Sequence, residues 1–164
     1  MDRIITAGGS QGGGLTIAAT ALNHRGFAAM PDVPFLCHLE RAVGMTGQEP
    51  YEEISRYLSI MRHKVATVFT TLSYFDAVNL AKRVTADTPA LFSTEEMDMT
   101  CPPSTVFAAR NWWGRTDASQ TGDAPEIAVY PFNQHEGGQM VKGGKQLTWL
   151  RALLDESSSP SSPR

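Results

Sequence analysis

Cysteine is scarce in this chain. Cys37 and Cys101 are the only two, too few for a disulfide framework, so a reducing compartment, the cytoplasm, is the expected location. These two and His38 also lack the paired C-x-x-C or H-x-x-x-H spacing of a zinc site, so no metal is expected. Long apolar runs are missing as well. No stretch approaches the roughly 18 apolar residues that a membrane helix needs, and Met1-Asp2-Arg3 followed by a short apolar run lacks the shape of a signal peptide. Positive charge is not in excess: 14 Lys and Arg stand against 17 Asp and Glu, for a formal net charge of −3. With no long basic run, neither nucleic acid nor membrane is an expected partner. Internal repeats are absent. What remains, 41% hydrophobic and 19% charged over 164 residues, is the balance of an ordinary globular domain.

Short apolar runs alternate with helical stretches. Residues 3–7 are β-branched and end in glycines, as a buried strand does. A helix is predicted over 15–22, stopped near Gly26, and a second strand over 27–30, closed by Pro31 and Pro34. Residues 36–83 hold no clear strand. Leu36, Leu39 and Val43, then Ile54, Leu58, Met61 and Val65, recur at helical spacing on either side of Pro50. A third strand is predicted at 89–93, and a helix at 104–110 with Ser104 as its N-cap. A loop follows over 114–125, then a fourth strand at 127–130 and a last helix at 146–154. Residues 155–164 form a Ser/Pro-rich stretch expected to be disordered. This alternation is the grammar of an α/β fold with about four mostly parallel strands and flanking helices. In open sheets of that kind, sites gather at the carboxyl ends of the strands.

The first strand end carries Gly8-Gly9-Ser10-Gln11-Gly12-Gly13-Gly14, which contains G-x-S-x-G between a strand and a helix. That arrangement suits a sharp turn that lifts the Ser10 hydroxyl out of the backbone. Gly8 and Gly12 would omit Cβ atoms that would otherwise collide, and the Gln11 N–H would face an oxyanion. A nucleotide-binding glycine loop or a plain turn could share the composition. However, Leu15 stands where a phosphate-binding loop needs Lys, and the glycine spacing fits no dinucleotide fingerprint. The third strand end carries Asp98, where the acid of a hydrolase triad belongs, although a solvated acid beside Glu95 and Glu96 would look the same. The fourth carries His135, the expected general base. The order Ser10, Asp98, His135 is the chain order of α/β-hydrolases. His24, His38 and His63 compete poorly, the first and last because they sit in polar helical contexts.

Several longer blocks then resemble one family. Besides the elbow, they are Val33-Pro34-Phe35-Leu36-Cys37, Pro50-Tyr51-x-Glu53-Ile54, Thr71-Leu72-Ser73-Tyr74-Phe75-Asp76, Met97-Asp98-x-x-Cys101-Pro102-Pro103-Ser104-Thr105 and His135-Glu136-Gly137-Gly138. Together they resemble the acetyl xylan esterase and cephalosporin-C deacetylase family (carbohydrate esterase family seven) from Arg3 to about Leu154. The resemblance implies the C-terminal half of an α/β-hydrolase, with residues 1–154 as one partial domain. It implies cofactor-free hydrolysis of acetyl esters on small acetylated carbohydrates, and on cephalosporin C. Ser10 would be the nucleophile, Asp98 the acid, His135 the base and the Gln11 N–H an oxyanion donor. Pro34 and the Cys37 region would lie near the acyl pocket, with residues 36–83 forming its wall. Members are typically intracellular hexamers.

Three departures stand out. Thr94-Glu95-Glu96 replaces a small apolar run before Met97-Asp98, so two acids neighbour Asp98. Residues 112–125 look longer than the corresponding family loop. Finally, the resemblance begins at the elbow strand, so the family's second oxyanion donor, a tyrosine in its first half, has no counterpart here. Two expectations follow: an acetylesterase working through Ser10, or a catalytically silent fragment that needs a partner chain to complete its sheet.

Overall fold

A computed structural model of the chain describes residues 3–120 and 122–157. Four strands, β1 (Ile4–Gly9), β2 (Gly26–Asp32), β3 (Leu91–Glu95) and β4 (Glu126–Tyr130), form one parallel sheet in the order β1-β2-β3-β4. Helix α1 (Gln11–Leu22) joins the first pair and α6 (Pro103–Asn111) the last. Between β2 and β3 lie α2 (Leu39–Met45), α3 (Tyr51–Ile60), a 3-10 turn at Arg62–Lys64, α4 (Val65–Ser73) and α5 (Ala77–Ala81). Helix α7 (Gln139–Glu156) closes the described chain. Every strand therefore ends on the same side of the sheet, and the three loops that carry Ser10, Asp98 and His135 emerge together there.

Burial follows sheet position. All five residues of β3 are buried, whereas β1 and β4, the two edges, are only partly covered. The main core runs from Ile17 and Ala21 of α1 through Ala29 and Phe92 of the sheet to Val106 and Ala109 of α6. Phe92 meets Trp113 edge-on at 5.4 Å between centroids, and the Trp113 indole N–H donates to the Thr88 carbonyl at 2.9 Å. That pairing gives a large aromatic both its packing and its polar partner. The segment between β2 and β3 builds a second, smaller core from Leu39, Ala42, Val43 and Tyr51, with Phe35 tilted against Tyr51 at its border.

The predicted elements are all present, with shifted boundaries. Helix α1 begins at Gln11 rather than 15, because the glycines that read as a loop enter the helix to bring it close to the sheet. Strand β3 runs on to Glu95, two residues past its expected end. Helix α6 starts at Pro103, and Ser104 lies inside its first turn, so Ser104 is not the N-cap. Pro103 presets the first helical φ, leaving the Ser104 hydroxyl to accept from Arg41 Nε at 2.8 Å. Helix α7 begins seven residues early and runs through Glu156, since Gly143 and Gly144 interrupt its apolar pattern without breaking it. The stretch expected to be disordered thus starts inside a helix, and its residues 158–164 lie outside the described chain. Among the described residues no helix is long and apolar enough to cross a membrane.

The small core is fastened by one carboxylate. Asp76 Oδ1 accepts from the His38 N–H and the Val78 N–H, both at 2.9 Å, and Oδ2 accepts from the Leu39 N–H at 2.7 Å. It caps α5 and holds the first turn of α2 at once. Asp76→Ala removes all three charge-assisted acceptors and is expected to cost about 3 kcal/mol. This should appear as a lower urea midpoint at unchanged slope, and Asp76→Asn, which keeps one acceptor oxygen, should lose less.

Candidate active site

The elbow is built by backbone crowding. An added Cβ at Gly8 would lie 2.5 Å from the Gly12 carbonyl oxygen, so strand and helix meet only because residue 8 has no side chain. At Gly12 itself a Cβ would meet nothing within 4 Å. The expectation for Gly12 is therefore corrected: it is the backbone that is approached there, not a Cβ that must be missing. The other required glycines are the next two. A Cβ at Gly13 would fall 2.6 Å from the Asp32 carbonyl oxygen, and one at Gly14 would fall 2.4 Å from that of Phe35. Helix α1 thus lies directly on the loop that leaves β2. Squeezed between strand and helix, Ser10 takes φ 54° and ψ −118°, a region that L-residues seldom occupy. Its amide donates to the Asp32 carbonyl at 2.9 Å, and its carbonyl accepts from the Phe35 N–H at 2.9 Å. The same loop carries three more positive φ angles, at Val33, Leu36 and His38, so the strain is shared along the segment that supports the elbow.

Ser10, Asp98 and His135 come together. His135 Nε2 lies 2.9 Å from Ser10 Oγ, and His135 Nδ1 lies 2.8 Å from Asp98 Oδ2. Asp98 is fully buried, while the imidazole is about one-third exposed. The other carboxylate oxygen of Asp98 accepts from the Thr100 N–H at 2.7 Å and the Cys101 N–H at 2.8 Å. This fixes the carboxylate plane and leaves Oδ2 for the imidazole. Backbone bonds from the Glu96 N–H to Tyr130 and from the Met97 N–H to Asn133 tie the Asp98 turn to the loop that carries His135. That loop is braced internally as well: Asn133 Nδ2 and the Gln134 N–H both donate to the Glu136 carboxylate. Gln11 opens α1, so its N–H is among the first-turn donors that lack an intrahelical partner, beside the Ser10 hydroxyl.

The remaining sequence candidates fall elsewhere. Pro34 is fully buried, with its Cα 2.8 Å from the point a Gly13 Cβ would take. It packs under α1 and offers no face to an acyl group. His24, His38 and His63 are exposed. Cys37 is buried in the main core, and burial first, then the Asp76 charge, pushes its thiol well up.

Two features were not anticipated. Cys101 stands within the site: its sulfur and the ligand atoms of Asp98 and His135 all lie within 4.8 Å of one another. Burial, and next the Asp98 charge, hold its thiol far above the usual range. It is therefore a neutral thiol and a poor metal ligand, and the acid and imidazole beside it already bond to each other. The second feature is a buried polar group beneath the histidine loop. Asp32 accepts from the Ser93 hydroxyl and pairs with Lys142 of α7, and Glu95 lies beside it, fully buried. The sequence showed Glu95 as a carboxylate crowding Asp98. In the structure the Glu95 carboxyl is itself displaced: burial first, then Asp32 and Asp98, raise it to about 7.

Residues 1–153 match the family Acetyl xylan esterase (AXE1). An acetyl esterase of Xylanibacter ruminicola, Axe7A, is 27% identical over 137 residues, which is 80% of this chain and 27% of that protein. The acetyl xylan esterase from Paenibacillus sp. R4 is 36% identical with a TM-score of 0.78, matching 89% of this chain and 44% of its own. Acetyl xylan esterase 1 from Thermoanaerobacterium sp. JW/SL YS485 is 35% identical, also at 0.78, over 93% and 46%. The chain thus spans about a quarter of the first relative and somewhat under half of the two solved structures.

The glycine analysis separates two substitutions that look alike in sequence. Gly8→Ala sets a methyl against the Gly12 backbone and is expected to lower the melting temperature and abolish labelling of Ser10 by a fluorophosphonate probe. Gly12→Ala meets open space and is expected to melt at or slightly above the parent temperature, since alanine favours helix.

Proposed function

This chain belongs to the acetyl xylan esterase family, and on that footing we propose that it hydrolyses acetyl esters of small acetylated carbohydrates through an acyl-enzyme on Ser10. The observation that carries the reading is the unbroken contact series from Ser10 Oγ to His135 to the buried Asp98. Such an order lets one proton be taken, held and returned in place. Ser10 Oγ attacks the acetyl carbonyl carbon as His135 Nε2 accepts the hydroxyl proton. The carbonyl oxygen gains negative charge beside the Gln11 N–H. When the tetrahedral intermediate collapses, the carbon–oxygen bond to the sugar breaks and the departing oxygen takes the proton from His135. Water then attacks acetyl-Ser10 and gives its proton to His135. Acetate leaves as that proton returns to Ser10 Oγ. Throughout, Asp98 holds the Nδ1 proton and offsets the charge of the imidazolium. Cephalosporin C, with an acetyl ester of comparable size, fits the same chemistry.

A second reading is favoured by the sheet edge. Among the described residues β1 pairs with β2 alone, and Ile4 at its start is 37% exposed. An edge strand of this kind, carrying the nucleophile at its end, accepts another strand readily. On this reading the chain is catalytically silent until a partner segment covers β1 and supplies a second oxyanion donor. One missing donor corresponds to about two to three orders of magnitude in rate.

Hydrolysis of 4-nitrophenyl acetate and of acetylated xylo-oligosaccharides separates the two. The esterase reading expects turnover that Ser10→Ala abolishes and that Asp98→Asn lowers by about a thousandfold or more. Turnover equal in the parent and in Ser10→Ala would remove it. A folded chain that binds substrate without turnover supports the second reading.

A further inference from the structure

Glu95 ends β3 with both carboxyl oxygens buried and without a protein hydrogen-bond partner among the described residues. An ionised carboxylate in that position would forfeit its hydration and gain no hydrogen bond in return. Its surroundings make ionisation harder still. Asp32 faces it from the end of β2, Asp98 from the turn after β3 and Glu136 from the histidine loop, while among the described residues Lys142 of α7 opposes them. The Tyr130 hydroxyl, from the strand paired with Glu95, is buried and, among the described residues, unpartnered too, and burial first, then Asp32 and Glu95, raise it. Cys101 is a further neutral neighbour.

The carboxyl lies where the histidine loop turns. Gly137, two residues after His135, has φ +72°. The point its Cβ would take is 3.7 Å from Asp32 Oδ2 and 3.8 Å from Glu95 Oε1. The loop therefore passes with the open face of Gly137 turned toward both acids. Lys142 satisfies Asp32, and a protonated Glu95 carries a donor of its own within this acid-rich group.

Building on the hydrolase reading above, we propose that Glu95 is a positioning residue: in its uncharged form it lets Gly137 settle over the Asp32–Glu95 pair and so holds His135 between Ser10 and Asp98. When Glu95 loses its proton, its buried negative charge faces that of the partly buried Asp32 beneath the loop, with Glu136 adding a third at its rim. The loop lifts, and His135 loses its contacts. The sign follows from the linkage. Glu95 keeps its proton in the folded chain up to about 7, against an ordinary value of 4.5. The stability so gained is complete below the lower value and lost as pH rises through the upper one. Activity should fall on the same alkaline side, opposite to the acid-side loss that a histidine base produces.

The test is the pH profile of the full chain and of Glu95→Gln, which mimics the uncharged form. Esterase rate is read alongside the low-field proton resonance of the His135–Asp98 hydrogen bond. For a single ionisation, the parent should lose about tenfold in rate between pH 6 and pH 8 and lose the resonance over the same interval. Glu95→Gln should keep both within about twofold. Identical profiles for parent and variant would overturn the proposal. Carbon-13 titration of the Glu95 carboxyl in the unmutated chain is an arm that needs no variant. Its midpoint should coincide with shifts of the Glu136 and Gly137 amides, and titration in the ordinary carboxylate range, or an unresponsive loop, would refute it. A chain that turns over no ester would count against the hydrolase reading, while the resonance and the carboxyl titration would still decide the role of Glu95.

Discussion

The site depends on one close approach, that of the β1 backbone to the first turn of α1 at Gly8 and Gly12. No favourable bond draws the two together at that spot. The contact is permitted by a missing side chain and enforced further along the helix, where Ile17, Thr20 and Ala21 are buried and the Thr20 hydroxyl bonds that of Thr6 in β1 at 2.8 Å. Ser10 then has no relaxed conformation to adopt, and its hydroxyl is pushed clear of strand and helix alike. The Asp32 and Phe35 backbones fix the serine from below. The loop that provides them is itself pressed against Gly13 and Gly14, so a run of glycines serves both the turn and its support.

Much of this was legible in sequence. The order of strands and helices, the turn at Ser10 and the three strand-end side chains could all be read from residue types and their order, because each depends on local chemistry. What could not be read depends on register across strands. Asp32 stands opposite Ser93, and Glu95 opposite Tyr130. Only that pairing reveals that two acids from different strands share one buried space. The roles of Gly12 and Gly13 were likewise not separable, since identical residues differ only in what their absent side chains would have struck. Pro34 sat in a family-like block, yet a block of residues does not tell which member faces a substrate and which faces the core. Helix α7 was shortened in sequence because two glycines hide an otherwise continuous helix.

Charge is arranged in two tiers beneath the imidazole. Asp98, with two backbone donors on one oxygen and the imidazole on the other, is a carboxylate whose surroundings suit its charge. Glu95, three residues earlier, has no such donors and lies among acids. Two carboxyl groups within a single turn of chain thus meet opposite surroundings, N–H donors and an imidazole for Asp98, burial and neighbouring acids for Glu95.

The small core around Leu39, Ala42 and Tyr51 has a consequence for variation over time. It is closed by its own residues and joined to the sheet through Phe35 and the Asp76 bonds, so it behaves as a module with a narrow attachment. Substitutions inside it change that core while leaving the glycine run and the three strand-end side chains in place. Selection can therefore vary that core without renegotiating how Ser10 is presented.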